Sequence, residues 1–198
     1  MKYSDIYRLY STSQPKDAIH QALREVSVDD SDEQYEDRSP LHLACQYGDT
    51  EGVKILLERD AEPNTKDANG STPIHILGRT SAGCADEDKL KEIAVMLIEQ
   101  GANIPRSAKN TTALIECIRN RHFKMAEAII NSGARVNSTD LNGENVLFGF
   151  CAASGDIRRD IRFAKKELDE SVQYRYPENK IEEIRSRIAR LEDDGETA

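Results

Sequence analysis

The sequence predicts an all-α solenoid of about four helix–turn–helix units, each too thin to bury its apolar face alone. Three observations predict it. Ser39-Pro40-Leu41 returns 33 residues on as Thr72-Pro73-Ile74, and Thr112-Ala113-Leu114 returns at the same interval as Asn145-Val146-Leu147. Between these starts, apolar residues recur at three- and four-residue steps, the period of a helix with one buried face. Asp67-Ala68-Asn69-Gly70 and Asp140-Leu141-Asn142-Gly143 set turn-forming residues between successive units.

The chain begins with two short amphipathic segments. The first carries Ile6, Leu9 and Tyr10. The second starts near Pro15, which suits a first helical turn, and carries Ala18, Ile19, Ala22, Leu23 and Val26. A charged helix pair ahead of an array is what an N-terminal cap requires, because the outermost unit keeps one face in water. Six acids follow between Asp29 and Asp37. They lack the spacing, central glycine and terminal glutamate of a calcium loop, and read as a solvated acidic segment.

In the first repeat, Leu41, Leu43 and Ala44 fit a short inner helix, Gly48 a break, and Val53, Ile55, Leu56 and Leu57 the buried side of a second helix. Ser39 to Asp60 and Thr112 to Gly133 each span 21 residues, whereas Thr72 to Gly101 spans 29. Repeat two therefore carries an eight-residue insertion, around Ala82 to Glu87, between its two helices. An insertion there is a candidate special loop. Beyond Gly155, Ile157, Ile161, Ala164 and Leu168 continue a helical stripe, fit for a lengthened second helix of repeat four. Pro177 interrupts it. Ile181, Ile184, Ile188 and Leu191 then form a narrow heptad-like seam from Glu178 to Asp193. That seam suits a helix docked on the open end of the array, or alternatively a self-associating helix. The expected organisation is a cap and acidic loop over 1–33, repeats over 34–156, and a helical extension over 157–198.

A 33-residue period with a Thr-Pro-Leu-His-like start and a Gly-Ala-x-x-Asn-like end resembles the ankyrin repeat. The resemblance implies units made of a β-hairpin finger and two antiparallel helices. It implies that His42 and His75 tie neighbouring fingers together and that Asn64 and Asn137 brace the hairpins. Asp60 stands where the family has a left-handed glycine, a substitution that Asp tolerates at roughly 1 kcal/mol. Repeats three and four lose the proline and histidine of the motif.

Composition narrows the function. The 198 residues are 38% hydrophobic and 32% charged, with a formal charge of −9 and a pI near 5.0. No basic footprint serves nucleic acid or an anionic membrane. The charged opening MKYSDIYRLY does not fit a signal peptide, and no run has the length of a membrane span. A monomer in the cytoplasm is expected, with the nucleus also open. Cys45, Cys84, Cys117 and Cys151 are far apart and read as reduced; no metal or other cofactor is expected. No HExxH, phosphate loop or nucleophile elbow is present, and Cys84 adjoins only acids, so the chain is expected not to be an enzyme.

The resemblance implies a concave groove of finger tips and inner helices that binds a partner protein or peptide. Its register assigns to that groove Tyr35, Arg38, Gln46, Tyr47, Lys66, Asn69, Ser71, Arg79, Arg106, Lys109, Arg119, Asn120 and Asn142, and also Glu36 and Glu144. Six of these positions are basic and two acidic, so an acidic or phosphorylated partner is expected, anchored by Tyr47. A regulatory or inhibitory subunit and a self-associating scaffold are the alternatives.

Overall fold

The computed structural model describes residues 1–80, 86–103, 112–133, 157–173 and 178–196, and divides into two compact units, 1–132 and 133–198. The first unit holds eight helices among its described residues: α1 (Tyr3–Ser11), α2 (Lys16–Glu25), α3 (Pro40–Gln46), α4 (Thr50–Leu57), α5 (Pro73–Gly78), α6 (Glu87–Glu99), α7 (Ala113–Arg119) and α8 (Phe123–Asn131). They form two rows. The short helices α1, α3, α5 and α7 pack in succession along an inner row, and α2, α4, α6 and α8 along an outer one. Repeats one to three are the pairs α3–α4, α5–α6 and α7–α8. The start of the fourth, from Asn145 to Gly155, lies outside the described residues. No described residue is in a strand, and the first finger, expected as a β-hairpin, is a turn.

The core follows the sequence stripe. Leu41, Leu43, Leu56, Ile74, Leu77, Leu90 and Ile93 are fully buried, each side chain contributing about 1.5–3 kcal/mol. In the N-terminal pair, Ile6, Tyr10, Ile19, Ala22, Leu23 and Val26 are buried as expected. Tyr3 is buried as well, while Ala18 faces solvent and Leu9 is only half-buried. The pair is fastened to repeat one by a carboxylate. Asp49, at the N-terminus of α4, accepts the Tyr10 hydroxyl at 2.7 Å and meets His20 Nε2 at 3.0 Å. Burial and then this carboxylate hold the Tyr10 phenol protonated.

Left-handed backbone recurs with the repeat. Asp60, Gly101 and Gly133 close the second helices at φ values of 62°, 85° and 95°. Between the helices of repeats one and three the same conformation falls on Gly48 and Arg121, at 59° and 63°.

The insertion in repeat two is partly helical, which the sequence reading did not foresee. Aligned on its closing glycine, α6 starts one turn earlier than α4 and α8. Asp86 caps that turn through Asp88 N–H, and Leu90 is buried beneath it. Its acids serve the next repeat: Glu87 Oε1 accepts the first N–H of α8, from Phe123, at 2.7 Å, and Asp88 pairs with Lys124 at 2.7 Å. Residues 81–85, including Cys84, lie outside the described residues.

The second unit contains α9 (Ile157–Gln173) and α10 (Glu178–Glu196). The seam of α10 is occupied. Ile184 and Ile188 bury against Ala164, with Leu168 and Leu191 packed alongside. Glu167 is buried and paired with Arg187, and Lys165 meets Glu192 at 2.7 Å. These pairings run antiparallel. α10 continues to Glu196, three residues past the expected end.

Candidate partner-binding face

The inner face of the first unit is built from the finger tips and the ends of α1, α3, α5 and α7. Its rigidity begins with histidine. His42 Nε2 lies 3.0 Å from the Ser71 carbonyl, which can only accept, so Nε2 carries the proton. Nδ1 therefore accepts, from the Ser39 N–H at 3.2 Å and the Ser39 hydroxyl at 2.9 Å. The ring caps its own helix and ties it to the next finger. Burial pushes the His42 pKa down to about 4. His75 repeats the cap on Thr72, at 2.9 Å from its hydroxyl. A third ring, His122, donates to the Thr80 carbonyl at 2.6 Å.

The first finger is fixed by Asp67. One of its oxygens accepts the N–H groups of Asn69 and Ser71 at 2.9 and 2.8 Å, and Gly70 supplies the positive φ of the tip. The Ala68 N–H donates to the Glu36 carbonyl at 2.8 Å and joins this tip to the preceding loop. Asn64 reaches onward rather than into its own turn, donating to Gly101 O at 3.0 Å and accepting Asn103 N–H at 2.7 Å. Asn137 lies outside the described residues.

Arg38 and Arg79 are engaged within the fold. Arg38 donates to Gln46 at 2.8 Å and to Glu36 at 2.5 Å, and its Nε lies 3.7 Å from the second oxygen of Asp67. Arg79 donates to the Ser71 hydroxyl at 3.0 Å and pairs with Glu116 at 3.1 Å. One bridge is made twice with its ends exchanged. The residue before the motif and the residue seven after its start are Arg38 and Gln46 in repeat one, Ser71 and Arg79 in repeat two. In both repeats the arginine also takes a carboxylate from the following unit.

The remaining predicted positions divide clearly. Lys66 and Arg119 are exposed, and Asn69 is half-buried. Ser71 is fully buried, so its side chain works inside the fold. Asn120 braces α5 against α7, donating to the carbonyls of Gly78 and Glu116 at 3.0 and 2.9 Å. Arg106, Lys109 and Asn142 lie outside the described residues, as does Glu144.

The tyrosines come together at one end. Tyr35, in a 3-10 turn over Glu33–Tyr35, packs on Tyr7 with ring centroids 4.3 Å apart, and on Tyr3 at 5.7 Å. Tyr47, at the C-terminus of α3, stacks on Tyr10 at 4.8 Å and 12°. Burial, followed by the neighbouring Tyr7 phenol, raises the pKa of the Tyr47 hydroxyl. Tyr7, Tyr35 and Tyr47 are half-buried, with the buried Tyr3 and Tyr10 as their bed. The sequence reading placed Asp67 in the finger turn but missed Tyr7 and Glu116. A signal existed for the last: Glu116 stands in the register of Leu43 and Ile76, where a buried acid demands a partner.

Cys45 and Cys117 are fully buried, and burial pushes both thiols up, away from nucleophilic chemistry. Among the described residues no group of three His, Cys, Asp or Glu side chains could hold a metal ion, and no helix is long and apolar enough to cross a membrane.

Residues 23–77 match the family model described as ankyrin repeats, many copies. The chain belongs to the ankyrin-repeat family. Similarity also extends to proteins that carry such repeats. Neurogenic locus notch homolog protein 1 of Cricetulus griseus is 31% identical over 134 residues, and its human counterpart 31% over 133, each covering 67% of this chain and 5% of the relative. A Caenorhabditis elegans homolog of transient receptor potential cation channel subfamily A member 1 is 46% identical over 48 residues, 24% of this chain and 4% of that protein. The ankyrin chain thus spans about a twentieth of the length of these relatives. Ankyrin repeats generally mediate protein–protein interaction and are generally non-catalytic.

Proposed function

We propose that this ankyrin chain is a non-catalytic binding module that holds a partner protein or peptide against its inner face. One observation carries the reading. Tyr7, Tyr35 and Tyr47 present half-buried aromatic surface on that face, while the histidines and described cysteines beneath it are consumed by capping and packing. Tyrosine on a rigid bed is the composition of a binding hot spot, since it offers contact area at small cost in rotamer freedom. An acidic partner is the narrower form of this proposal. It rests on the register's count of basic positions, from which Arg38 and Arg79 drop out because they already hold carboxylates of the chain itself.

The test is partner capture from a lysate of the native organism, followed by cross-linking to map contacts and repetition with Tyr47→Ala and Lys66→Glu. Contacts on the inner face and an affinity at least tenfold weaker support the proposal. Contacts confined to the outer helices, or to 157–198, would end it.

A further inference from the structure

The N-terminal end of the inner face sets tyrosines beside an acidic loop, and that pairing specifies a ligand chemistry. Five of the chain's seven tyrosines lie in the N-terminal part of the first unit, Tyr35 packed on Tyr3 and Tyr7, and Tyr47 stacked on Tyr10. The loop that carries Tyr35 contains Asp29, Asp30, Asp32, Glu33, Glu36 and Asp37 and no base. Asp29, Glu33, Glu36 and Asp37 are exposed. Glu36 and Asp37 both adopt left-handed backbone, at φ 60° and 52°, which turns the chain sharply just after Tyr35. Arg38, the base that follows, is spent on Glu36 and Gln46. The Tyr3 hydroxyl lies buried under the cluster with no hydrogen-bond partner.

Electron-rich ring faces bordered by carboxylates attract a cation and repel an anion. A guanidinium is the best match, because it is planar, weakly hydrated, and able both to lie on a ring and to fork onto a carboxylate. We infer that the strip of Tyr7, Tyr35 and Tyr47, bordered by Glu33 and Asp37, is the seat for a basic, arginine-bearing segment of the partner protein. The inference rests on the proposed use of the inner face and adds the sign and side-chain type of the ligand at this end. The chain's overall charge of −9 acts in the same direction, drawing a basic segment in from a distance.

The experiment uses the full chain and three ten-residue peptides of equal length, one with four arginines, one with four lysines and one with four aspartates. Binding is followed at 150 mM salt by tyrosine fluorescence, which no tryptophan obscures. The arginine peptide is expected to bind several-fold more tightly than the lysine peptide, and the aspartate peptide not to bind. Tyr7→Ala with Tyr35→Ala leaves every charge in place and should weaken the arginine peptide about tenfold. If that variant melts early, Glu33→Lys with Asp37→Lys, at exposed positions, is expected to give the same loss. Equal binding of arginine and lysine peptides, unchanged affinity in the folded tyrosine variant, or preference for aspartate overturns the inference. A captured partner that contacts the inner face but keeps its affinity when the arginine peptide is present also overturns it, and leaves the proposed function standing.

Discussion

Acidification should loosen the array through His42 in particular. The folded ring must stay neutral, because Nδ1 is an acceptor for Ser39 while Nε2–H donates to Ser71. Burial is the main cause of its low pKa. The Ser71 hydrogen bond and the nearby Asp67 oppose burial, and Arg38 and His75 reinforce it. A histidine takes up a proton near pH 6.5 in the unfolded chain and near 4 in the fold. Between those values the unfolded chain binds more protons, so stability is complete above pH 6.5 and falls as pH drops toward 4. At pH 5 the unfolded ring is almost fully protonated and the folded ring about one-tenth so, a loss of about 2 kcal/mol relative to pH 7.5. The assay is urea unfolding followed by far-UV circular dichroism at both pH values, for the native chain and for His42→Gln. Glutamine at this position preserves the reciprocal cap on Ser39 but does not titrate. The native chain is expected to lose about 2 kcal/mol more than the variant. An equal loss in both, or a His42 ring signal that titrates near pH 6.5 in the folded protein, would refute the reasoning.

Four further substitutions test other joints, each read by urea unfolding. Asp49→Ala strands the Tyr10 hydroxyl in the core and frees His20, and should cost about 2–3 kcal/mol; a loss below 0.5 kcal/mol would show that the N-terminal pair is not fastened there. Gly52→Ala ordinarily favours a helix by about 1 kcal/mol, but its Cβ would sit 2.5 Å from Asp49 Oδ2 and 2.9 Å from Leu23, so destabilisation by about 1–3 kcal/mol is expected. Arg121→Gly relieves a left-handed residue and should stabilise by about 1 kcal/mol, with an unchanged midpoint as the contrary result. Arg187→Ala removes the ion pair made to the buried Glu167 and should destabilise the 133–198 unit by about 2 kcal/mol at neutral pH.

The helices and their register were legible because every copy of a repeat must bury the same positions. Leu41 and Ile74 share a register and share a fate. The start of α6 was also written in the chain. Leu90, Ile93, Ala94 and Leu97 lie at steps of three, one and three behind the cap Asp86, so the inserted turn had a helical signature of its own. What no local pattern encodes is the partner of a buried polar group. Asp49 lies 39 residues from Tyr10 and 29 from His20 in a helix pair outside the repeat register, and only stacking brings the three together. Register marked Ser71 and Asn120 as groove positions because they recur at the right place, but recurrence does not tell a residue that faces a ligand from one that faces the next repeat.

The same gap explains why counting charges by register overstates how basic the inner face is. Arg79 and Glu116 at 3.1 Å present a dipole to an approaching molecule, not a charge, and a dipole's field fades within about one Debye length, some 8 Å at physiological salt. Arg38, held between Glu36 and Gln46 and facing Asp67, is muted in the same way. The sign that a partner meets is set by side chains without an internal counter-ion. In the loop around Tyr35 the exposed carboxylates of Asp29, Glu33 and Asp37 are such side chains, and the stretch from Asp29 to Asp37 contains no base. Steering at the N-terminal end is therefore negative even where the register tally is positive. The on-rate of a basic partner should fall steeply between 50 and 300 mM salt, whereas an acidic partner recruited through this end would associate faster as salt is added.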